Sequence, residues 1–292
     1  MFDLSLPSYA KINLGLTLLK KREDGYHDIA TAFQQIDLHD ILSFRKTSSR
    51  ISITSNRPDI PLDNKNLACR AFQLFQKNQG IQEGIEIHIE KTIPVGGGLG
   101  GGSSNAAVTL LAVNQLWKTN LTQKKLETLA GEIGSDVPFF IRGGSALGKG
   151  RGEQLVEIHL PNNYWIVLIC PDIEISTSWA YQHSKITLTK NKKIAKFNSL
   201  FKNWAPHALR DSLKNDLEGM VFQGHPILKE MKEQLYQRGA FYASMSGSGS
   251  TIYGLFSDKK QAESASQFFH MQNKLRVYLS RPISTSPMEH IS

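Results

Sequence analysis

The segment PVGGGLGGGSSNAA, from Pro94 to Ala107, decides how the rest of this 292-residue chain can be arranged around it. Six of the seven residues from 96 to 102 are glycine, and an apolar, helix-like segment from Asn105 to Trp117 follows at once. Upstream, Ile85 to Glu90 alternates isoleucine with polar residues, as a half-buried strand does. A strand, a glycine turn and a helix form a phosphate-binding geometry. Glycine lets the backbone approach an anion, and the free N–H groups at the helix start point towards it.

This glycine segment matches neither of the two best-known nucleotide loops. Gly96, Gly98 and Gly101 fit the spacing G-x-G-x-x-G, but no acidic residue stands at the ribose-binding position of a second strand. The P-loop needs Gly-Lys-Ser or Gly-Lys-Thr at the helix start, where this chain has Gly-Ser-Ser. A flexible linker is the simpler alternative, and it is disfavoured because a linker would not run straight into an apolar helix.

Elsewhere the sequence predicts a mixture of strands and helices. In the segment from Ser8 to Leu18, alternation places Tyr9, Lys11 and Asn13 on one strand face, opposite the core. A second strand follows His27, and further strands are predicted at 41–45, 51–54, 164–170, 241–244, 251–256 and 276–279. Helices are predicted at 66–76, 122–133 (with Thr122 as N-cap) and 257–269. This mixture predicts an α+β fold, in which we place two domains at 1–158 and 159–292.

The positive charge is confined to one part of the chain. The formal net charge is +8, but residues 175–210 contain seven cations and no acidic residue, so the remainder is nearly neutral. The cations are Lys185, Lys190, Lys192, Lys193, Lys196, Lys202 and Arg210. Such a run favours a solvated linker or loop face, and the alternative is a local potential that attracts an anionic substrate. It does not have the interleaved aromatic residues of a nucleic-acid-binding surface.

Composition excludes several other classes of protein. The apolar fraction of 40% and the charged fraction of 21% are globular values. The longest apolar runs are too short to cross a bilayer, and no signal peptide is visible. Cys69 and Cys170 are too few for a disulfide framework or a zinc cage, and their apolar surroundings predict core thiols. We therefore expect a cytoplasmic protein with neither a nucleic-acid nor a membrane partner.

Three motifs in order along the chain resemble those of the GHMP kinases, a family of small-molecule kinases. They are SYAKINLGL (Ser8 to Leu16), the glycine segment with its Ser-Ser-Asn-Ala-Ala extension, and SMSGSGSTIYGLF (Ser244 to Phe256). The resemblance implies a mixed sheet plus helices in the N-terminal domain and an α/β sandwich-like C-terminal domain. It also implies ATP and Mg²⁺ as cofactors. The loop expected to hold ATP comprises Pro94, Val95, Gly96, Gly97, Gly98, Leu99, Gly100, Gly101, Gly102, Ser103 and Ser104.

The same resemblance assigns roles to residues outside the loop. It implies Asp136 as the base that accepts the hydroxyl proton and Lys11 as the cation that stabilises developing negative charge. Without the resemblance, a helix N-cap is the favoured explanation of Asp136 in GSDVPFF, and a solvated strand lysine is the alternative for Lys11. Ser104 is a candidate metal ligand, and Asn66 a candidate contact for adenine.

The stretch from Arg22 to His27, REDGYH, narrows the resemblance, since DGYH is not expected in mevalonate or homoserine kinases. It implies a member of the family whose acceptor is a cytidine diphosphate joined to a branched tetritol, a precursor of isoprenoids. Tyr26 and His27 would then contact the cytosine, Asn13 the tetritol, and Tyr181 would stack on the base. Gly247 and Gly249 would form a second backbone wall, although a turn between two strands also needs such glycines.

Three alternatives stay open from the sequence alone. The chain could be a GHMP kinase for another small alcohol, a non-catalytic ATP-binding relative, or a nucleic-acid binder that uses its basic segment. The retained Lys11 and Asp136 argue against a sensor, which needs neither. The sequence is compatible with a monomer or a homodimer.

Overall fold

The chain is represented by a computed structural model, which describes residues 2–184, 200–201, 204, 206–272 and 274–284. Six of the seven cations of the basic segment lie outside these residues, and only Arg210 lies within them. The suggested attraction of an anionic substrate to that segment therefore stays a prediction.

Six strands form the first sheet, which is mixed. They are β1 (Leu4–Lys21), β2 (His27–Thr47), β3 (Ile51–Ser55), β4 (Gly84–Glu90), β5 (Ser145–Lys149) and β6 (Gln154–Glu157). The strand order is β3-β4-β2-β5-β6, and β1 pairs with β2. Strands β3 and β4 run parallel, whereas β2 is antiparallel to β1, β4 and β5. The long strand β2 therefore organises the sheet, because three strands hydrogen-bond to it.

Four helices pack against this sheet: α1 (Leu67–Gln79), α2 (Gly101–Leu116), α3 (Gln123–Ile133) and α4 (Val137–Arg142). The predicted cap of α3 is confirmed, since the Thr122 hydroxyl accepts a hydrogen bond from the N–H of Lys125. Asn66 caps α1 in the same way, with its side-chain oxygen 3.0 Å from the nitrogen of Ala68. Such caps satisfy donors that the first helical turn leaves free.

A second, antiparallel sheet contains four strands in the order β10-β7-β9-β8. These are β7 (Trp165–Pro171), β8 (Tyr242–Met245), β9 (Ile252–Phe256) and β10 (Leu275–Ser280). The associated helices are α5 (Thr177–His183), α6 (Pro206–Ser212), α7 (Glu218–Gly224), α8 (Pro226–Gln237) and α9 (Lys259–His270). The α+β class, with a mixed first sheet and an α/β second part, is confirmed.

The apolar run in β7 is buried on both faces, as its unbroken hydrophobicity predicts. Val167 and Ile169 belong to a core shared with α8 and α9. Ile166 and Leu168 point the other way, into a core that contains Ala10, Ile12 and Leu14 of β1. The second sheet is thus a layer between its own helices and the first strand of the chain.

Strand β1 is hydrogen-bonded to the second half of the chain as well as packed against it. The Leu16 N–H donates to the Lys214 carbonyl at 2.9 Å, and the Leu16 carbonyl accepts from Asp216 at 2.8 Å. The Tyr253 hydroxyl donates to the Asn13 carbonyl at 2.7 Å. The two sheets therefore meet at β1, the strand that carries Lys11.

Two details of the sequence prediction were wrong, and the burial of Lys11 and Asn13 was not predicted. The predicted second strand and the strand predicted at 41–45 are one continuous β2, because β1 pairs along both halves through several register shifts. Helix α2 begins at Gly101 rather than Asn105; Gly101 packs against Lys91 and Ile93, where a Cβ would not fit. Lys11 and Asn13 lie opposite the apolar face as predicted, yet both are buried, because the loops around Gly100 and Gly247 cover them.

Both cysteines are buried free thiols, which confirms the prediction for Cys69 and Cys170. Among the described residues, no helix is both long enough and apolar enough to cross a bilayer.

Candidate active site

The glycine segment forms a tight loop that leads directly into α2. Gly96, Gly98 and Gly100 adopt positive φ values of 72°, 75° and 72°, which glycine reaches without steric cost. Gly100 is the residue before α2, and no side chain caps that helix. The first N–H groups of a 16-residue helix are therefore left to an external acceptor, and the helix dipole favours an anionic one.

A second glycine loop, Ser246 to Gly249, packs against the first. The Ser246 hydroxyl donates to the Gly98 carbonyl at 2.9 Å, and the Thr251 N–H donates to the Gly97 carbonyl at 3.3 Å. A Cβ built on Gly98 would lie 2.1 Å from the Ser246 carbonyl oxygen. The two backbones can approach this closely only because position 98 has no side chain. Gly247 also lies beside Asn13 and Lys11, as the predicted second wall requires.

Lys11 and Asp136 form an ion pair at the end of the glycine loop. Their charged atoms, Nζ and Oδ2, are 3.3 Å apart, and the side chains are 4% and 32% exposed. The Lys11 backbone N–H also donates to the Leu99 carbonyl at 3.0 Å, which fixes β1 against the loop. A buried cation and a partly open carboxylate thus meet at one wall of a cavity.

Asn13 holds the lysine in place. Its side-chain oxygen accepts from Lys11 Nζ at 2.6 Å, and its amide nitrogen donates to the Thr31 hydroxyl at 2.9 Å. Thr31 in turn donates to the Gly15 carbonyl at 2.7 Å. The whole chain of hydrogen bonds is buried, so the ammonium group has a fixed position with one face directed at Asp136.

The N-cap alternative for Asp136 is not supported by the contacts. Asp136 occupies the position before α4, but its side chain makes no capping hydrogen bond. Its observed partner is Lys11, so the local needs of the helix do not explain an aspartate here.

The cavity beside this pair has a volume of about 780 Å³. The predicted residues that line it are Lys11, Asn13, Tyr26, His27, Gly98, Gly100, Ser103, Asp136, Tyr181 and Gly247. The structure therefore brings together residues from several distant segments of the chain.

Aromatic side chains form another part of the cavity wall. The rings of His27 and Tyr181 have centroids 5.7 Å apart at an interplanar angle of 35°. Burial, and secondarily Lys21, lowers the pKa of His27, which favours the neutral imidazole. Burial also raises the pKa of Tyr181. Tyr26 is 57% exposed at the cavity mouth. Neutral rings around an opening provide surfaces for stacking a planar base.

Some predicted residues do not line the cavity. Asn66 is occupied by capping α1 and by donating to the Pro61 carbonyl at 2.8 Å. Ser104 is buried and accepts from the Ser8 hydroxyl at 2.8 Å, so Ser103 is the loop hydroxyl that faces the cavity. The remaining loop residues shape the turn without lining the cavity. These are Pro94, Val95, Gly96, Gly97, Leu99, Gly101 and Gly102.

Behind the loop lies a buried ionic network that the sequence did not reveal. Asp40 accepts from Lys91 Nζ at 2.5 Å, from the N–H groups of Thr92 and Ile93 at 2.8 Å, and from Asn105 at 2.9 Å. Burial lowers the pKa of Lys91, an effect that Asp40 opposes. The network joins the strand before the loop to the helix after it.

Arg151 and Thr177 also line the cavity and were missed. The Thr177 and Ser248 hydroxyls lie 3.0 Å apart, linking α5 to the second glycine loop. The only sequence signal for Arg151 is that it lies between Gly150 and Gly152, which predict a tight turn with a charged side chain at its centre.

Known proteins share both halves of this architecture. The family model for the GHMP kinase N-terminal domain matches residues 66–144, and that for the GHMP kinase C-terminal domain matches residues 199–272. A 4-diphosphocytidyl-2-C-methyl-D-erythritol kinase from Caldanaerobacter subterraneus subsp. tengcongensis is 40% identical over 262 residues, covering 87% of this chain and 88% of that protein.

Two further comparisons extend over nearly the whole chain. A protein of the same name from Chlorobium phaeobacteroides is 37% identical over 290 residues, covering 98% of this chain and 99% of that protein. A crystal structure of 4-(cytidine 5'-diphospho)-2C-methyl-D-erythritol kinase superimposes with a TM-score of 0.78 at 31% identity, covering 96% of this chain and 99% of that one. By this extent of similarity, the chain belongs to the GHMP kinases, and within them to the 4-diphosphocytidyl-2-C-methyl-D-erythritol kinases.

Proposed function

We propose that this protein is an ATP-dependent kinase that phosphorylates the 2-hydroxyl of 4-diphosphocytidyl-2-C-methyl-D-erythritol, a step in non-mevalonate isoprenoid precursor synthesis. The observation that carries the proposal is the Lys11–Asp136 pair, 3.3 Å apart, in a cavity that residues of the glycine loop and the His27 and Tyr181 rings also line. One end of the cavity suits a triphosphate and the other a base. The pair lies where a hydroxyl would meet the terminal phosphate.

In the proposed reaction Asp136 receives the proton of the acceptor hydroxyl as the oxygen attacks phosphorus. The carboxylate is open to the cavity, as a group that must touch substrate has to be. Lys11 stabilises the negative charge that develops on the attacking and transferred oxygens, and Asn13 keeps its ammonium group oriented. Positioning and charge stabilisation of this kind supply most of the catalysis in phosphoryl transfer.

ATP is the phosphate donor of this kinase family, and we propose that its triphosphate lies across the start of α2. The uncapped N–H groups after Gly100 and the Ser103 hydroxyl are donors suited to phosphate oxygens. The network from Asp40 to Lys91 supports this loop from behind. The proposed contact of Asn66 with adenine would have to use atoms other than those that cap α1.

The residues present suit a Mg²⁺ ion that is bound chiefly by the nucleotide. Among the described residues, no group of three His, Cys, Asp or Glu side chains could hold a metal ion. Nucleotide-bound Mg²⁺ needs few protein ligands, because phosphate oxygens and water supply the rest. We propose Ser103 and Asp136 as the cavity groups available to it, and we keep Ser104 as a weaker candidate. The ion would neutralise phosphate charge.

For the acceptor we propose that cytosine lies between Tyr26, His27 and Tyr181. The support is the neutral, partly exposed aromatic surface at this end of the cavity. Stacking on such surfaces contributes about 1–3 kcal/mol for each base in known sites. Asn13, which lies beside Lys11, would contact the tetritol.

We also propose a boundary between two domains at residues 158 and 159. In support, β6 ends at Glu157 and β7 begins at Trp165, and strands before and after this interval belong to different sheets.

The proposal is tested by a turnover assay with a panel of alcohols. Purified protein is incubated with ATP and Mg²⁺ and either the cytidyl substrate, mevalonate or homoserine, and the phosphorylated product is identified by ³¹P NMR. We expect phosphate on the 2-hydroxyl of the cytidyl substrate alone. An Asp136→Asn preparation made in parallel controls for contaminating kinases. Phosphorylation of mevalonate or homoserine in place of the cytidyl substrate would overturn the assignment.

A further inference from the structure

The turn between β5 and β6 brings an arginine to the cavity. Gly150 and Gly152 have φ values of +67° and +112°, a backbone conformation that suits glycine. The turn is fixed by two hydrogen bonds: Ile29 N–H donates to the Gly150 carbonyl at 2.7 Å, and Arg151 N–H donates to the Glu153 carboxylate at 2.7 Å. The Arg151 side chain therefore leaves the turn in a defined direction.

This turn is next to the proposed base. A Cβ built on Gly152 would lie 3.7 Å from Asp136 Oδ1 and 3.4 Å from Phe33 Cζ. The same turn therefore touches the end of the cavity at which phosphoryl transfer would occur.

The Arg151 side chain lies beside an aromatic residue of the cavity. The guanidinium carbon of Arg151 lies 5.1 Å from the centroid of the Tyr26 ring, and both residues line the cavity. Stacking on an aromatic face orients the planar guanidinium and leaves its N–H groups free at the edges. Among the described residues, no carboxylate forms an ion pair with this guanidinium.

The acidic residues at the same rim are already paired. Asp24 lies 3.0 Å from Arg22 and accepts from the Tyr26 N–H at 3.1 Å. Asp28 lies 3.0 Å from the same arginine. Arg22 carries one positive charge against two carboxylates, and Arg151 also interacts electrostatically with Asp24, but without an ion pair. The N–H groups of its guanidinium can therefore still bind an anion in the cavity.

Arg151 lies near the place where we expect the diphosphate of the proposed acceptor. The cytosine end of that molecule would lie at Tyr26, His27 and Tyr181, and its reacting hydroxyl at Lys11 and Asp136. Its diphosphate joins these two ends and has to lie between them.

We propose that the Arg151 guanidinium binds the diphosphate of the acceptor, while its stacking on Tyr26 holds it in place. The inference rests on the proposed function, since it takes the acceptor to be a nucleoside diphosphate. Arginine suits this role because its fork of N–H donors matches phosphate oxygens bidentately.

The test compares Arg151→Gln with Lys149→Gln, two variants that each remove one positive charge from the same hairpin. Lys149 ends β5 and does not line the cavity. Dissociation constants for CDP and for cytidine are measured by calorimetry, with the ATP site saturated by a non-hydrolysable ATP analogue. Circular dichroism and the melting temperature show whether each variant is folded. Turnover of the cytidyl substrate by the unsubstituted protein is measured separately, because that result tests the proposed function itself.

We expect Arg151→Gln to weaken CDP binding about tenfold or more and to change cytidine binding less than about twofold. Lys149→Gln should leave both constants unchanged. An equal loss of affinity for CDP and cytidine would mean that Arg151 acts only by supporting Tyr26, and would overturn the proposal. Unchanged CDP binding in Arg151→Gln would overturn it as well. If the unsubstituted protein neither turns over the cytidyl substrate nor binds CDP, the proposed function fails first and this inference with it.

Discussion

The close packing of the two glycine loops predicts that Gly98→Ala disables ATP use while the fold persists. The new Cβ would lie 2.1 Å from the Ser246 carbonyl oxygen and 3.0 Å from that of Gly249. Both obstacles are backbone atoms, which cannot rotate away as a flexible side chain can. The loops must therefore move apart by about 1 Å to restore an ordinary contact.

The free-energy cost has three parts. An alanine at a φ of 75° is strained by about 1–2 kcal/mol, and the loss of unfolded-state entropy offsets about 0.4–1 kcal/mol of this. Separating the loops also breaks the 2.9 Å hydrogen bond from Ser246 to the Gly98 carbonyl, about 1 kcal/mol. The sum, roughly 1–3 kcal/mol, is too small to unfold a typical domain. The larger effect is kinetic, because misplacing a catalytic group by about 1 Å costs about 100-fold.

Two glycines provide matched controls. Gly96 has a φ of 72° in the same loop, and Gly80 has a φ of 66° at the end of α1; a Cβ added at either position would meet no heavy atom within 4 Å. Gly96→Ala and Gly80→Ala thus introduce the backbone strain without the collision. Urea unfolding should show a loss of stability in Gly98→Ala that exceeds the loss in either control by about 1 kcal/mol, the value of the broken hydrogen bond. Steady-state kinetics with varied ATP should separate the variants much more strongly. The kcat/KM for ATP should fall about 100-fold only in Gly98→Ala.

The reasoning is refuted if Gly98→Ala is no more impaired towards ATP than Gly96→Ala. Should Gly98→Ala fail to fold, Ser246→Ala creates no collision. It removes the hydrogen bond to the Gly98 carbonyl and a long one, 3.4 Å, from the Asn13 N–H. The variant should raise the KM for ATP a few-fold and lower the free energy of unfolding by only about 1 kcal/mol. An unchanged KM would mean that packing of the second loop against the first does not position ATP.

Four other outcomes follow from the site. Asp136→Asn should keep its melting temperature and lose about 10²–10⁴-fold in kcat, and near-normal turnover would exclude it as the base. Tyr26→Ala should raise the KM for the cytidyl acceptor about tenfold or more with the KM for ATP unchanged, so an unaltered cytidine affinity would argue against the base pocket. Burial lowers the pKa of His27 in the folded protein below 6.5, its ordinary value. The stability that depends on the neutral imidazole is therefore fully present above pH 6.5, and it is lost as the pH falls through the pKa of the folded state. Urea unfolding between about pH 5 and 7.5 should therefore show a steeper loss on acidification than in His27→Gln, and parallel curves would contradict this. Burial raises the pKa of the Cys170 thiol to about 11 and raises that of Cys69, so both should react with a thiol reagent only after denaturation.

Local patterns predicted most of the secondary structure. The alternation in 85–90 and the capped periodicity of 122–133 are local signals, and both elements formed as expected. The joining of two predicted strands into β2 was not predictable, because it depends on pairing with β1 over its whole length. The early start of α2 at Gly101 likewise reflects a tertiary contact, with Lys91 and Ile93, that outweighs the low helix propensity of glycine.

Sequence motifs likewise predict some residues of the site, whereas others are recognised only from tertiary contacts. The glycine loop and Lys11 are visible as motifs, since the chemistry needs those residue types at fixed spacing. Arg151 carries no such motif, and it becomes a candidate only when the β5–β6 turn is seen beside Tyr26. The Asp40 network is hidden for a related reason: its members come from β2, the segment before the loop, and α2.

Asp136 shows how the structure separates two interpretations, since the residues alone favour a helix cap and the family resemblance favours the base. A cap at the start of α4 would stabilise the helix by about 1 kcal/mol, yet the carboxylate makes no capping bond and instead faces Lys11. Helix α4 is only six residues long, and five of them are buried, so packing holds it without a cap. Because burial of Val137 to Ile141 stabilises α4, the preceding Asp136 is not needed to cap that helix. The fold can then direct its carboxylate into the cavity, 3.3 Å from the ammonium group that Asn13 has fixed. The apolar sequence after Asp136 is in this sense part of the site, because it lets a residue at a capping position serve chemistry instead.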